Sequence, residues 1–208
     1  NRIKQAIKDG RLMELLEIRA RCHPSLYQGF VEIMKNDELL KLMEEHTPIS
    51  SRRGINLYNA LSLRRPKISS ARKRLLQNYF MKDHSLREAL LLPETMKFSL
   101  EKASRLPSNL EILFYGNPLG LIPLSLRYSY PFSQVNYPKT LIEDNLRELV
   151  FEAVKQFQAA GYRKAYVVKA RSRHLEAFGE KLVESLRSLG VEVNVIDDVK
   201  ILMKGEKN

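Results

Sequence analysis

KAYVVKARSRHLEAFGEKLVESLRSLGVEVNVID spans Lys164–Asp197 and decides the fold. Apolar runs at 164–170 and 191–197 flank a stretch in which Leu175, Phe178, Leu182, Val183, Leu186 and Leu189 recur at helical spacing. That spacing places them on one face of a helix, and Gly190 supplies its stop. Strand, amphipathic helix, strand is a βαβ unit, and it predicts a parallel sheet buried by helices on both faces.

Upstream, ALLL (Ala89–Leu92) and LEILFYG (Leu110–Gly116) are two further strand candidates, near Leu90 and Ile112. A second helix opens with Thr140 and Glu143 at capping-box spacing, buries Ile142, Leu146, Leu149, Val150, Ala153 and Phe157, and ends at Gly161. The expected fold class is α/β: a helical N-terminal half, and a three-layer α/β/α domain with a small, mainly parallel four-stranded sheet. Between the second strand and this helix lies YGNPLGLIPLSLRYSYPFSQVNYP (Tyr115–Pro138), rich in proline and tyrosine and free of acids. Irregular connections of this length are uncommon and often functional.

In the N-terminal half, Ile3 and Ile7 mark one helix ending at Gly10; Leu12, Leu15, Leu16 and Arg19 mark a second, stopped by Pro24. A third covers Ser25–Met34, and Asn36 or Asp37 caps a fourth. A polar, basic connection follows, and Ser69 or Ser70 is placed to cap a helix through Tyr79. The boundary between a helical basic region and the α/β domain is placed at 82/83, giving regions 1–82 and 83–208.

The net charge of +11 is uneven: residues 1–88 hold 18 Lys+Arg against 10 Asp+Glu, and 89–208 hold 17 against 14. From His46 to Lys82 there is no acid. That stretch carries Arg52, Arg53, Arg64, Arg65, Lys67, Arg72, Lys73 and Arg74, the pattern of a polyanion partner and hence candidate RNA-binding residues, with a solvated face of a Lys- and Arg-rich protein as the alternative. The sheet suggests a second site, because ligands of open α/β sheets bind beyond the carboxyl ends of strands. Pro93, Glu94, Gly116, Asn117, Gly120 and Tyr128 are candidates for such a crevice, with Arg171–His174 on a third loop; the alternative is that the prolines and tyrosines pack over the sheet edge.

The lone Cys22 excludes an internal disulfide and a Cys-rich zinc site. It is read as a buried helix-end residue rather than a nucleophile, and as a sign of a reducing, cytoplasmic setting. The four histidines share no metal-ligand spacing. No apolar run approaches the ~18 residues of a membrane span. The chain opens on Asn1 rather than Met and is read as a fragment or trimmed form of a longer protein.

Three motifs, in order, carry a family resemblance over roughly Asn1 to Ala170. NRIKQAIKDGRLMELLEIRARCHPSL resembles the segment that follows the catalytic barrel of archaeal tRNA-guanine(15) transglycosylases, and LYNALSLRRPKISSARKRLL resembles the stretch just after it. LFYGNPLGLIPLSLRYSYPFSQVNYP resembles the domain that these enzymes share with archaeosine synthase, including a Pro-Leu-Gly-x-x-Pro loop at Pro118, Leu119, Gly120 and Pro123. The resemblance implies a place in archaeosine tRNA modification and tRNA as partner. It also implies a transglycosylase barrel, in the same chain or as a separate subunit, with zinc expected only there and no cofactor in this chain. The synthase carries a cysteine after the first strand's proline; here Pro93 is followed by Glu94, so no catalytic residue is assigned. The leading expectation is an accessory region that binds tRNA or docks a subunit. The alternatives are a small α/β transferase or base-binding enzyme with Glu94 as acid or base, and a homodimerising scaffold without RNA contact.

Overall fold

The computed structural model describes residues 2–48, 50–51, 53–82 and 86–203. In chain order its helices and strands are α1 (Arg2–Lys8), α2 (Leu12–Ala20), α3 (Pro24–Lys35), α4 (Asp37–Glu45), β1 (Ile55–Asn56), α5 (Ala60–Leu63) and α6 (Pro66–Leu75). A π-helical turn (Leu76–Phe80), β2 (Glu88–Pro93), α7 (Leu100–Ser104), β3 (Leu110–Asn117), β4 (Gly120–Pro123) and β5 (Val135–Asn136) follow. The chain then forms α8 (Lys139–Asp144), α9 (Leu146–Ala159), β6 (Lys164–Val168), α10 (Arg173–Ser188) and β7 (Glu192–Ile196). It divides into two compact units: Asn1–Arg74 with Ser129–Leu141, and Leu75–Tyr128 with Ile142–Asn208. This division breaks first at 74/75, and the last ten residues of the proline-tyrosine stretch, 129–138, go with the helices.

The first unit is built from short capped helices. Gly10, at φ 63°, ends α1 in the left-handed region that glycine adopts without strain. His23 Nδ1 accepts the Ser25 N–H ahead of α3, with Pro24 at its first turn. Asn36 Oδ1 accepts the Leu39 N–H and starts α4. Met13, Ala20, Phe30 and Met34 form the apolar core, flanked by Tyr27, Leu40, Met43 and Leu61. Asn59 and Ser62 close a reciprocal capping box on α5. α6 starts at Pro66, three residues before the expected serine caps, since proline is preorganised for a first helical turn. β1 and β5 pair in parallel, Ile55 beside Val135 and Asn56 beside Asn136, and so draw Ser129–Leu141 into this unit.

The second unit holds the sheet, in the order β4-β3-β2-β6-β7. β3, β2, β6 and β7 are parallel, in the register Leu90–Ile112, Leu90–Tyr166 and Val167–Val195. The four expected strands are present, and α/β is the class. A fifth strand, β4, folds back antiparallel on β3 through a turn at Pro118–Leu119. Its edge position tolerates Pro123. The long helices share one face: α9 packs on β3, β4 and α10, and α10 packs on β3 and β7. Same-face placement follows from handedness, since β3→β6 and β6→β7 both cross in one direction and right-handed crossovers then land together. Phe157, Phe178, Leu182 and Leu186 are fully buried there. Each contributes about 1.5–3 kcal/mol relative to an exposed side chain.

Candidate nucleic-acid interface and sheet crevice

α6 turns Ile68 and Leu75 inward, both buried, and contains no acidic residue. Its last turn carries Arg72, Lys73 and Arg74, with Lys73 exposed and the two arginines half-exposed. Cations at a helix C-terminus also complement the macrodipole. Arg53 is exposed. Arg64 is exposed and forms an ion pair with Asp37, while Lys73 lies 3.9 Å from Glu44. Pairs this open are worth little and exchange readily for another anion. Arg52 lies outside the described residues.

Arg65 is not a surface residue. Only 3% exposed, it donates through Nε and Nη2 to Glu17, which is fully buried, and through Nη1 to the Asn56 carbonyl at 2.7 Å. Glu17 also accepts from Ser62 Oγ at 2.9 Å and from Arg21 at 2.9 Å. Glu14, likewise buried, accepts from Asn56 Nδ2 at 3.0 Å. The Arg21 and Arg65 guanidinium groups both sit 5.4 Å from the Tyr58 ring centre. Charge counting missed this network because it cannot tell which neighbour of an Arg-Arg pair faces inward. A signal was present in α2: Glu14 and Glu17 share a helical face with Met13 and Ala20, while Leu12 and Leu16 are exposed.

Lys67 is half-buried, and burial is the main cause that pushes its ammonium below the usual lysine value. It reaches the Ser50 carbonyl at 3.5 Å and lies 5.5 Å from the Tyr130 ring centre. Cys22, expected inside at a helix end, is exposed in the turn between α2 and α3.

In the second unit, two crevice candidates meet directly. Asn117, almost fully buried, donates from Nδ2 to Glu94 Oε1 at 2.8 Å, and its Oδ1 accepts the Leu119 N–H at 2.9 Å. Pro93 is buried beside Tyr115 in the sheet register. Arg127, which sequence reasoning passed over, holds this corner. Its Nη2 donates to the carbonyls of Glu94 and Met96, both at 2.9 Å, and the guanidinium stacks 3.8 Å from the Phe114 ring centre. Burial pushes Arg127 below its usual value. Gly116 (φ 97°) and Gly120 (φ 106°) are structural: a side chain at Gly116 would strike Leu175, and one at Gly120 would strike Gln156. Gln156, fully buried, accepts the Leu121 N–H and donates to the Leu119 carbonyl, pinning the β3–β4 hairpin to α9. Tyr128 is 70% exposed and does not close the corner.

On the other side of β3, Tyr115 donates to the Val168 carbonyl at 2.8 Å and stacks on Phe178. A groove there is lined by Lys169, Glu176, Glu180, Glu184 and Arg187. Among the described residues no group of three His, Cys, Asp or Glu side chains is placed to hold a metal, and no helix is long and apolar enough to cross a membrane. The arrangement around Glu94 supplies one carboxylate hydrogen-bonded to an amide and a clamped backbone. It resembles a structural corner more than an acid–base pair, which needs two groups poised at different protonation states.

No family model matches the chain. A curated protein of Methanococcus maripaludis named tRNA-guanine(15) transglycosylase is 29% identical over 181 residues, covering 87% of this chain and 27% of that protein. One of the same name from Methanococcus aeolicus is 32% identical over 158 residues, covering 76% of this chain and 23% of that protein. The chain therefore spans about a quarter of the length of the curated relatives it matches. A crystal structure of a protein of unknown function aligns over 64% of this chain at 16% identity, with a TM-score of 0.42.

Proposed function

We propose, for a chain homologous to a part of the archaeal tRNA-guanine(15) transglycosylases, a non-catalytic role in tRNA modification: it holds tRNA for a transglycosylase barrel that lies in the same protein or in a partner subunit. The observation that carries this reading is α6, an acid-free helix with Arg72, Lys73 and Arg74 in its last turn and the exposed Arg53 and Arg64 in the preceding acid-free stretch. Such cations contact phosphates, which fix position without reading sequence. The corner at Glu94 supports the absence of chemistry: where the resembling synthase has a cysteine, this chain has a carboxylate held by Asn117.

The test is a titration of tRNA against the wild type and an Arg72→Ala/Lys73→Ala/Arg74→Ala variant at three salt concentrations. Counterion release gives a log–log slope of about −0.9 per neutralised phosphate for duplex and −0.7 for single strands. The variant should bind more weakly whatever the tRNA sequence, with a slope shallower by about two units. An unchanged slope, or no tRNA binding by the wild type at low salt, would leave these cations as a solvated face. Incorporation of labelled guanine or deazaguanine into tRNA by this chain alone would refute the non-catalytic half of the proposal.

A further inference from the structure

A cavity of about 220 Å³ lies among α1, α2, α4, β1 and α6 of the first unit. Most of its wall surface is apolar, from Ile7, Leu12, Met13, Leu42, Met43 and Pro48, and Glu14, His46, Thr47 and Ser51 line it beside the cations Arg11, Arg65 and Lys67. That volume is below the ~300 Å³ at which sites for drug-sized ligands begin, and it equals about seven waters' share of liquid. It suits one ring system.

The charges around it do not balance. Arg11 lies 3.8 Å from Asp9 and 3.9 Å from Glu14, Arg65 and Arg21 share Glu17, and Arg65 is 4.0 Å from Glu14. Of the charged residues that line the cavity, Arg11, Arg65 and Lys67 stand against the one carboxylate Glu14, while Asp9 and Glu17 beside it are held by Arg11 and by Arg65 and Arg21. Lys67 is the surplus one. Among the described residues no carboxylate lies within ion-pairing distance of it, although it lines the cavity half-buried. Arg11, on the same wall, has a buried Nε with no acceptor. A desolvated cation and an unmet guanidinium N–H beside an apolar hole call for a single negative charge attached to an apolar body.

A nucleotide within an RNA strand offers one phosphodiester charge and one base whose faces are apolar and whose polar edges can meet Glu14, His46, Thr47 or Ser51, which also line the cavity. We propose that this cavity receives one unstacked nucleotide of the bound RNA, its base among Ile7, Leu12, Leu42 and Met43 and its phosphodiester against Lys67 and Arg11. This rests on the RNA-binding reading above and adds to it a site for an unpaired position, the kind of target from which single-stranded RNA is read.

The experiment is methyl-detected NMR of the whole chain, titrated separately with a dinucleoside monophosphate, with adenosine and with benzoate. The dinucleotide should shift the methyls of Ile7, Leu12 and Met43 saturably, with a Kd of about 1 mM or tighter. Adenosine, which lacks the charge, should bind at least about tenfold more weakly, and Lys67→Met should lose about tenfold or more, the scale of one charge-assisted hydrogen bond. Lys67→Arg should retain binding, and the unliganded methyl spectrum reports whether each variant is folded. Absence of saturable shifts at these methyls, equal binding by Lys67→Met, or tighter binding of benzoate than of the dinucleotide would each overturn the inference, the last in favour of a small carboxylic acid. The tRNA titration of the previous section separates the two readings. tRNA binding without cavity shifts sinks only the cavity; dinucleotide binding without tRNA affinity sinks only the wider function.

Discussion

Replacing Arg65 by Met should unfold the helical unit far more readily than replacing its neighbour Arg64 by Ala. Arg65 is 3% exposed, and its guanidinium supplies two donors to a Glu17 carboxylate that is itself fully buried. Methionine keeps much of the volume but strands that carboxylate with Ser62 and the exposed Arg21 as its remaining donors, and orphans the Asn56 carbonyl. Breaking one side of a buried pair costs about 3–5 kcal/mol. With a urea m-value of about 1–3 kcal/mol/M, the midpoint should fall by at least ~1 M. Arg64, exposed and paired only with Asp37, should cost no more than about 1 kcal/mol. Glu17→Met combined with Arg65→Met should be less damaging than Arg65→Met alone, because no lone charge is left inside. Urea unfolding followed by tyrosine fluorescence measures all of these, Tyr58 lying against both arginines of the network. Equal midpoints for Arg65→Met and Arg64→Ala would refute the reasoning and return Arg65 to the surface.

Gln156→Leu should destabilise the α/β unit by ~2–4 kcal/mol, since it leaves the Leu121 N–H and the Leu119 carbonyl of the hairpin without the amide that joins them; hydrogen exchange at Leu121 should rise first. Cys22 should react with a thiol reagent in the native protein as fast as in the urea-unfolded chain, because it is exposed; protection of tens-fold would contradict its placement. Burial is the main cause pushing Tyr58, Tyr79, Tyr115, Tyr130 and Tyr162 above the usual phenol value. At a pH of about 10 the near-ultraviolet phenolate signal of the folded protein should therefore fall well short of that of the unfolded chain, and full ionisation there would refute these burials.

The parallel strands were legible as short apolar runs, two of them flanking the amphipathic helix that became α10; Leu90, Ile112, Val167 and Val193 all lie in strands. β4 was hidden by its own ends, since Gly120 and Pro123 punctuate a four-residue strand and read as loop. The helix expected from Thr140 is interrupted at Asn145, a residue whose side chain competes with helical backbone bonding. The acid-free stretch was plain in the sequence, yet burial divides its members: Arg64 faces solvent, Arg65 a carboxylate, and Lys67 a cavity. Arg127 escaped notice because nothing in its local sequence marks it; its partners, Glu94, Met96 and Phe114, come from elsewhere in the sheet unit.

Hydrogen–deuterium exchange of the chain with and without unmodified tRNA tests the central claim most directly. A tRNA-holding, non-catalytic region predicts protection concentrated on α6 and around Arg53 and Arg64, lost in the Arg72→Ala/Lys73→Ala/Arg74→Ala variant, with the backbone of Glu94, Asn117 and Arg171–His174 unchanged. Protection centred on Glu94 and Asn117, with α6 unaffected, would contradict it and make the sheet crevice the site of action.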